Sequence, residues 1–200
     1  MNTQDGNTPT LQTERLILRR FTQADLNSLF LIFGDKEVNT FMDMLPLKDL
    51  EEAKEYLQTQ YLDNYKNAVG YHYAICLKSD NEVIGYVEVS DDECHNIDYG
   101  LVKKWWHKEI APEAVAAVIK QLKKDGLPYV TAIHDVKNQR SGQVMKKVGM
   151  KYQYTYGEQW QPKNIPVTFR LYQLNLDSEK NRVFMEYWNK ATERYVEKSL

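Results

Sequence analysis

The 200 residues carry 28 acidic and 26 basic side chains, for a net charge of −2, and the basic residues are spread along the chain. A nucleic-acid binder usually shows a basic stripe, and none is present, so no nucleic-acid partner is expected. The longest uninterrupted apolar run, Ala114 to Ile119, falls far short of the roughly 20 residues that span a bilayer.

With 42% hydrophobic residues the chain can bury a sizeable core, as one domain or one domain plus an extension. The two cysteines, Cys76 and Cys94, lie in strand-like runs and read as buried apolar side chains. No Cys/His cluster has zinc spacing, so no metal is expected. The first ten residues are polar and lack the apolar core of a signal peptide. Together these features predict a soluble protein of a reducing cytoplasm.

Residues 1–13 read as a loose tail. Arg15 to Phe21 alternates and predicts a strand. Thr22 is a capping residue type, and Leu26, Leu29, Phe30 and Phe33 follow at helical spacing up to Gly34. Leu47 to Lys66 predicts a second helix. Tyr71–Lys78 and Glu82–Ser90 read as strands joined by the turn Ser79-Asp80-Asn81, and Asn96–Lys103 as a third strand. A helix is predicted from Ile110 to Lys124, with Pro112 in its first turn and Gly126 just past its end. Tyr129–Asp135 is a strand, and Asn138–Val148 a helix closed by Gly149. Tyr152–Trp160 and Val167–Leu176 form a last strand pair. Ser178 to Val196 predicts an amphipathic helix with Phe184, Tyr187, Trp188, Ala191 and Tyr195 on one face. Antiparallel strands followed by β-α-β crossings imply an α/β fold with a mixed sheet.

The informative stretch runs from Asn96 to Ala114, where a strand enters a tight turn that opens a helix. The first amides of a helix lack internal partners, and the dipole adds positive potential there, which suits a diphosphate. Lys103, Lys104 and Lys108 add local positive charge. A second segment, Asn138-Gln-Arg-Ser141, precedes Gly149 by a short helical stretch.

These two segments resemble the GNAT superfamily of N-acetyltransferases, in particular the subgroup acting on ribosomal-protein amino termini and polyamines. That subgroup typically shows Tyr-Trp-Gly-Lys-Gly-Tyr-Ala-Thr-Glu-Ala, then Asn-x-x-Ser and a Gly-Phe pair. The matching residues are Trp106, Lys108, Ala111, Glu113, Ala114, Asn138, Ser141 and Gly149. The opening Thr13 to Phe21 is similar to the subgroup's first strand, and Val83-Ile-Gly85 to its central strand. The resemblance implies a GNAT domain over residues 11–176, with splayed middle strands flanked by helices, and a helical extension over 177–200. His107 and Glu109 stand where the family usually carries glycines. Glycine permits positive φ and close backbone approach. A carboxylate about 4 Å from a diphosphate costs about 1 kcal/mol in water and about 4 at an intermediate dielectric. A Glu109 already in helical conformation would turn its side chain away.

The resemblance implies acetyl-CoA as cosubstrate and direct transfer of its acetyl group to a primary amine, on a peptide amino terminus, a polyamine or another small molecule. Cofactor contacts are expected from Leu101, Val102, Trp106, His107, Lys108, Glu109, Ile110, Ala111, Asn138 and Ser141. Backbone N–H groups at the end of Tyr99–Val102 are candidates to polarise the thioester. Ser141 is the candidate partner of the leaving thiolate and equally a helix cap, as is Asn138. Met145 occupies the position where many relatives place a proton-donating tyrosine.

Candidate bases are Glu88, preferred, with Asp98 and His134 as alternatives; His134 also suits a structural role. Trp105 and Trp106 line the turn or simply pack. Phe41, Tyr56, Tyr61, Tyr65 and Tyr71 fall where such enzymes shape the acceptor pocket. The aromatic tail packs on its own sheet or forms a homodimer interface, and its mixed charges argue against a membrane. Two alternative functions stay open: a catalytically weak GNAT-fold sensing or interaction module, suggested by His107, Glu109 and Met145, and an antibiotic-amine acetyltransferase.

Overall fold

The computed structural model describes residues 7–199. Strands β1 (Leu11–Gln12), β2 (Leu16–Arg19), β3 (Tyr71–Leu77), β4 (Val83–Val89) and β5 (Ile97–Leu101) form one antiparallel sheet in sequence order. A second sheet has the order β6-β8-β7-β9, from β6 (Tyr129–Asp135), β7 (Lys151–Trp160), β8 (Ile165–Asn175) and β9 (Arg194–Tyr195). The two sheets touch through one parallel bridge, Asn96 to Thr131, and beyond it β5 and β6 splay apart.

Both faces of the first sheet are covered. Leu16, Leu18, Ile75, Val87 and Ile97 point to one face and bury against α3 (Ile110–Lys124) and α4 (Gln139–Lys147). Ala74, Cys76, Val83 and Tyr86 point to the other and bury against α1 (Leu26–Phe33) and α2 (Leu50–Tyr56). This alternation is the period-two pattern of a strand buried on two sides. On β4, Ile84 is an extra residue opposite Ile75/Cys76, a bulge that sharpens the local twist.

Several elements differ from expectation. Residues 7–13 are not a loose tail: Thr8 N–H donates to the Gly70 carbonyl at 3.0 Å, and Leu11–Gln12 pairs with β2. Residues 1–6 of that predicted tail lie outside the described residues. The long second helix is broken: α2 ends at Tyr56, a π-helical turn covers Leu57–Leu62, and a short 3-10 turn follows over Asn64–Lys66. Tyr61, fully buried in that turn, is held against Phe21 and Phe33, so side-chain packing sets the local winding. Cys94 sits in the β4–β5 turn rather than in a strand, its Sγ 2.8 Å from an Asp92 oxygen.

The largest correction is the tail. Only Glu186–Lys190 is helical (α5), and the chain then extends into β9 on the free edge of β7. Phe184, Tyr187 and Trp188 pack on the second sheet, with Tyr187 stacked on Tyr156 at 5.2 Å. Arg170 pairs with Glu197 at 2.8 Å and holds the last residues down. An unpaired strand edge and a charge partner outweigh the helical spacing. Tyr195, read as part of the apolar face, is about half exposed.

Candidate active site

A cleft of about 1090 Å³ follows the splay between β5 and β6. One end is built by the Trp106–Glu113 turn and the start of α4. No side chain caps α3, so the amides of Ile110 and Ala111 have no side-chain partner, and Pro112 has no N–H to satisfy. By contrast, Asn138 caps α4 by accepting from Ser141 N–H at 3.3 Å.

The turn keeps left-handed backbone geometry without glycine: φ is 61° at His107 and 59° at Glu109. Each such residue costs about 1–2 kcal/mol. Glu109 is therefore not helical, and what removes its charge from the turn is an ion pair. Lys147 of α4 donates to both Glu109 carboxylate oxygens at 2.6 Å. A second brace comes from the first strands. Arg15 binds the Glu113 carboxylate at 2.6 Å and donates to the carbonyls of Lys108 and Glu109 at 3.0 and 3.1 Å. Burial pushes the Glu113 carboxyl up, but hydrogen bonds from Thr13 and Arg15 outweigh it and hold the carboxyl below its ordinary value.

Both tryptophans are partly buried against the core and line the cleft. Trp106 donates its indole N–H to the Leu101 carbonyl at 2.9 Å and carries the Arg140 guanidinium 5.0 Å above its ring. Trp105 holds Lys108 at 4.5 Å.

Strand β5 divides the cleft's chemistry among its two faces and its edge. Val102 N–H donates to the Ile84 carbonyl at 2.9 Å, so it is not available as a donor to a ligand, contrary to the sequence expectation. Alternation along the ladder turns the N–H groups of Tyr99 and Leu101 the other way, into the splay. On the α4 face, the Tyr99 hydroxyl lies 2.9 Å from Ser141 Oγ and 2.9 Å from the Ser141 carbonyl. Burial raises the Tyr99 hydroxyl above its ordinary pKa, against the Ser141 hydrogen bond.

On the opposite face Asp98 pairs across the ladder with Glu88. The Asp98 carboxyl is pushed up to about 7, by burial between the cleft walls and then by the charges of Glu88 and Asp43, while Asn96 pulls the other way. Its side chain still meets the water of the cleft. Depth and acidic neighbours raise it, rather than complete enclosure. Glu88 also faces His72, 3.6 Å from its Nδ1.

The cleft brings together nearly all the residues expected from sequence. Leu101, Trp106, His107, Lys108, Glu109, Ile110, Ala111, Asn138, Ser141, Glu88, Asp98 and His134 all line it. His134 is 4% exposed, with Nδ1 2.8 Å from the Asp135 carbonyl. A Cβ on Gly142 of α4 would stand 2.7 Å from its Nε2, so the ring fills the space that this glycine leaves. Burial lowers its pKa. That placement matches the structural role of His134 better than proton transfer. Met145 is buried in the core beside α3. Of the five aromatics predicted near the acceptor, only Phe41 and Tyr56 reach the cleft. Tyr61 is core, Tyr65 donates to the His72 carbonyl, and Tyr71 donates to Asp125.

Sequence reasoning missed the Tyr99 hydroxyl, Asp43, Tyr156 and Tyr187, all of which line the cleft. Only Tyr99 left a signal, its place next to Asp98 on alternate faces of one strand. Among the described residues no group of three or more His, Cys, Asp or Glu is placed to hold a metal ion. No helix there is long and apolar enough to cross a membrane.

Comparison with known proteins agrees with this geometry. The model of the acetyltransferase (GNAT) domain matches residues 15–151. The uncharacterized N-acetyltransferase YoaA of Bacillus subtilis is 25% identical over 148 residues, 72% of this chain and 83% of that protein. Among solved structures, the acetyltransferase of Salmonella typhimurium that modifies the N-terminal serine of ribosomal protein L7/L12 superposes with a TM-score of 0.72 at 17% identity. It covers 82% of this chain and 97% of that one. The microcin C7 self-immunity acetyltransferase MccE, in complex with acetyl-CoA and AMP, gives 0.70 at 16% identity, covering 82% and 93%. At such identities the superpositions speak for the fold alone. The family model spans more than half of the chain, and on that ground the protein belongs to the GNAT family of acetyl-CoA-dependent N-acetyltransferases.

Proposed function

We propose that this chain acetylates a primary amine, with acetyl-CoA held at the α3 end of the cleft and the amine at the Glu88–Asp98 end. The observation that carries this reading is β5 itself, which presents an acid–base group on each face and outward amides on the edge between them. The uncapped α3 amides, with Lys108, Lys147 and Arg140 around them, fit a diphosphate. Acetyl-CoA, when bound there, supplies the activated acetyl group.

The chain's own residues then do three things. Asp98, with Glu88 beside it, takes a proton from the acceptor ammonium, and a pKa near 7 suits that task at neutral pH. The Leu101 and Tyr99 amides stabilise charge developing on the acyl oxygen. The Ser141–Tyr99 hydroxyl pair holds a proton for the departing sulfur. Two protons leave the amine nitrogen: Asp98 takes the one carried by the ammonium, and the second, released as the nitrogen–carbon bond forms, replaces the proton that the Ser141–Tyr99 pair delivers to the sulfur as the carbon–sulfur bond breaks.

Calorimetry with acetyl-CoA, followed by free-thiol release with a panel of amines, tests this. Binding in the micromolar range and amine-dependent thiol release are expected. Absence of binding at millimolar acetyl-CoA would defeat the reading. The ion pair that neutralises Glu109 removes one of the reasons to regard the turn as a silent remnant.

A further inference from the structure

The β7–β8 turn belongs to the second sheet, yet its Lys163 is bound to the other wall of the cleft. The ammonium donates to the carbonyls of Asn39, Thr40 and Met42 at 2.6, 3.3 and 2.7 Å. A lysine has three donors and no acceptor, so these three bonds use its full capacity. The Trp160 ring centroid is 5.3 Å from the same Nζ. The turn is stiffened from within, because Gln159 and Gln161 both donate to Asn164 Oδ1, at 3.0 and 3.3 Å.

The carbonyls bound by Lys163 close the 3-10 turn Val38–Phe41, and the last carbonyls of a helical turn lack partners within it. Beyond that turn, Asp43 to Pro46 make no backbone hydrogen bond among the described residues. Apolar packing of Met42 and Met44 on the α1/α2 cluster places this stretch. Met42 also reaches β5, where a Cβ on Gly100 would stand 3.2 Å from its Cε. The bond from Lys163 to the Met42 carbonyl fixes the peptide that joins Met42 to Asp43, and with it the direction of the Asp43 side chain.

Asp43 lines the cleft together with Glu88 and Asp98. After burial, the charges of Glu88 and then Asp43 push the Asp98 carboxyl up, and Asn96 donates to it at 2.7 Å. The other titratable groups around Asp98 are the hydroxyls of Tyr56, Tyr86, Tyr99 and Tyr187, all raised by burial and neutral at physiological pH.

We propose that Lys163 is a positioning residue for the acceptor end: by clasping residues 39–42 from the opposite sheet, it keeps the Asp43 carboxylate against the Glu88–Asp98 pair. Lys163 thus acts on the base through Asp43 rather than by its own charge. The two routes differ in sign. Loss of a nearby cation makes a carboxyl group hold its proton more tightly, whereas release of a neighbouring carboxylate makes it hold the proton less tightly. This rests on the reading of Asp98 as the base of an amine acetyltransferase.

The experiment is a carboxyl-carbon NMR titration of Asp98 in labelled protein, assigned by the signal that Asp98→Asn removes, and it needs no acceptor. A native midpoint of about 7 is expected. Lys163→Met should lower it by roughly half a unit to one unit, and Asp43→Asn by at least as much. In the Asp43→Asn background, Lys163→Met should lower it no further. The rising limb of kcat against pH should move with the titration. If Lys163→Met does not fold, Lys163→Arg, which keeps the charge but not the three-donor geometry, is read in the same way. An upward shift or none on loss of Lys163, or an undiminished downward shift in the Asp43→Asn background, overturns this proposal and leaves amine acetylation standing. Absence of thiol release with every amine, with the expected shifts observed, defeats amine acetylation and leaves the hold of Lys163 on Asp43 standing.

Discussion

The two ends of the cleft are built on opposite plans. The α3 end draws on two short segments, the 101–113 turn and the start of α4, and offers backbone amides set among basic side chains. The end proposed for the acceptor gathers residues from β4, β5, β7, the 40–44 loop and the tail, and offers carboxylates and rings. A contiguous, main-chain site tolerates substitution as long as the backbone path survives, which is how His107 and Glu109 can stand at left-handed positions. A dispersed, side-chain site has no such insurance. Substitutions at the acceptor end should therefore cost more than substitutions at the α3 turn.

Asp98→Asn is the strongest test of that contrast. Loss of a general base typically costs about 10²–10⁴ in rate. A fall in kcat of that order is expected at pH 8, with acetyl-CoA affinity by calorimetry nearly unchanged. In the native enzyme kcat should rise with pH through about 7 as Asp98 ionises, and the variant should lose that limb. Stability should move the other way. Below about pH 4 an aspartate is protonated in both the folded and the unfolded chain. Between that pH and 7 the unfolded chain gives up its proton while the folded one keeps it, so the native protein loses stability as pH rises. Asparagine removes the loss. Discounted for contact with cleft water, the gain at pH 8 is about 1–2 kcal/mol, read from urea melts at pH 4 and pH 8. Equal stability of variant and native protein at both pH values would mean that Asp98 is not raised.

Tyr99 and Ser141 stand where the two ends meet, and they should show coupling rather than independent loss. Tyr99→Phe and Ser141→Ala are each expected to lower kcat by about ten- to a hundredfold, and the double variant little more than either one. Fully additive losses would show that the two hydroxyls, 2.9 Å apart, do not share one proton path.

The same contrast explains what was legible in the sequence. Turn, helix start and Asn-x-x-Ser lie within short stretches, where capping types, Pro112 and helical spacing leave a pattern that can be read locally. Gly126 and Gly149 follow the same logic, each closing a helix at positive φ. Asp43, Tyr156 and Tyr187 are brought together by sheet pairing and by a tail that chose a strand edge over a helix, and neither leaves a local pattern. Glu88 and Asp98 lie between: two carboxylates in strand-like runs are visible, but their direct pairing depends on the β4–β5 register, which leaves no local pattern. The long helix predicted over Leu47–Lys66 failed for a related reason, since spacing alone does not reveal the π-helical turn that buries Tyr61.

Within the α3 end, the Arg15–Glu113 brace should matter more than any side chain in the turn itself. Arg15 holds the Lys108 and Glu109 carbonyls and so fixes the direction of the amides that follow. Arg15→Ala is expected to raise KM for acetyl-CoA about five- to tenfold with kcat changed less. It should cost about 1 kcal/mol of stability, because the ion pair is partly exposed. A fall in kcat without a change in KM would show that the brace acts on something other than the turn.

The smallest effect is expected at the residue that looked most damaging in the sequence. Glu109→Gly relieves left-handed strain of about 1–2 kcal/mol, while the added freedom of glycine in the unfolded chain takes back up to about 1 kcal/mol. The substitution also frees Lys147 from an exposed ion pair of about 0.2–1 kcal/mol. These terms nearly cancel for stability. For binding they leave one additional unpaired cation near the diphosphate, so acetyl-CoA affinity should rise by less than about fivefold, a shift within the energy of one exposed pair. A hundredfold gain by calorimetry would mean that the carboxylate repels the ligand despite Lys147. A loss of affinity would mean that the Glu109–Lys147 pair is itself needed to hold the turn and α4 together. The small gain expected here follows from the construction of this end of the cleft: where amides bind, the backbone conformation counts, and a side chain turned toward its own partner counts little.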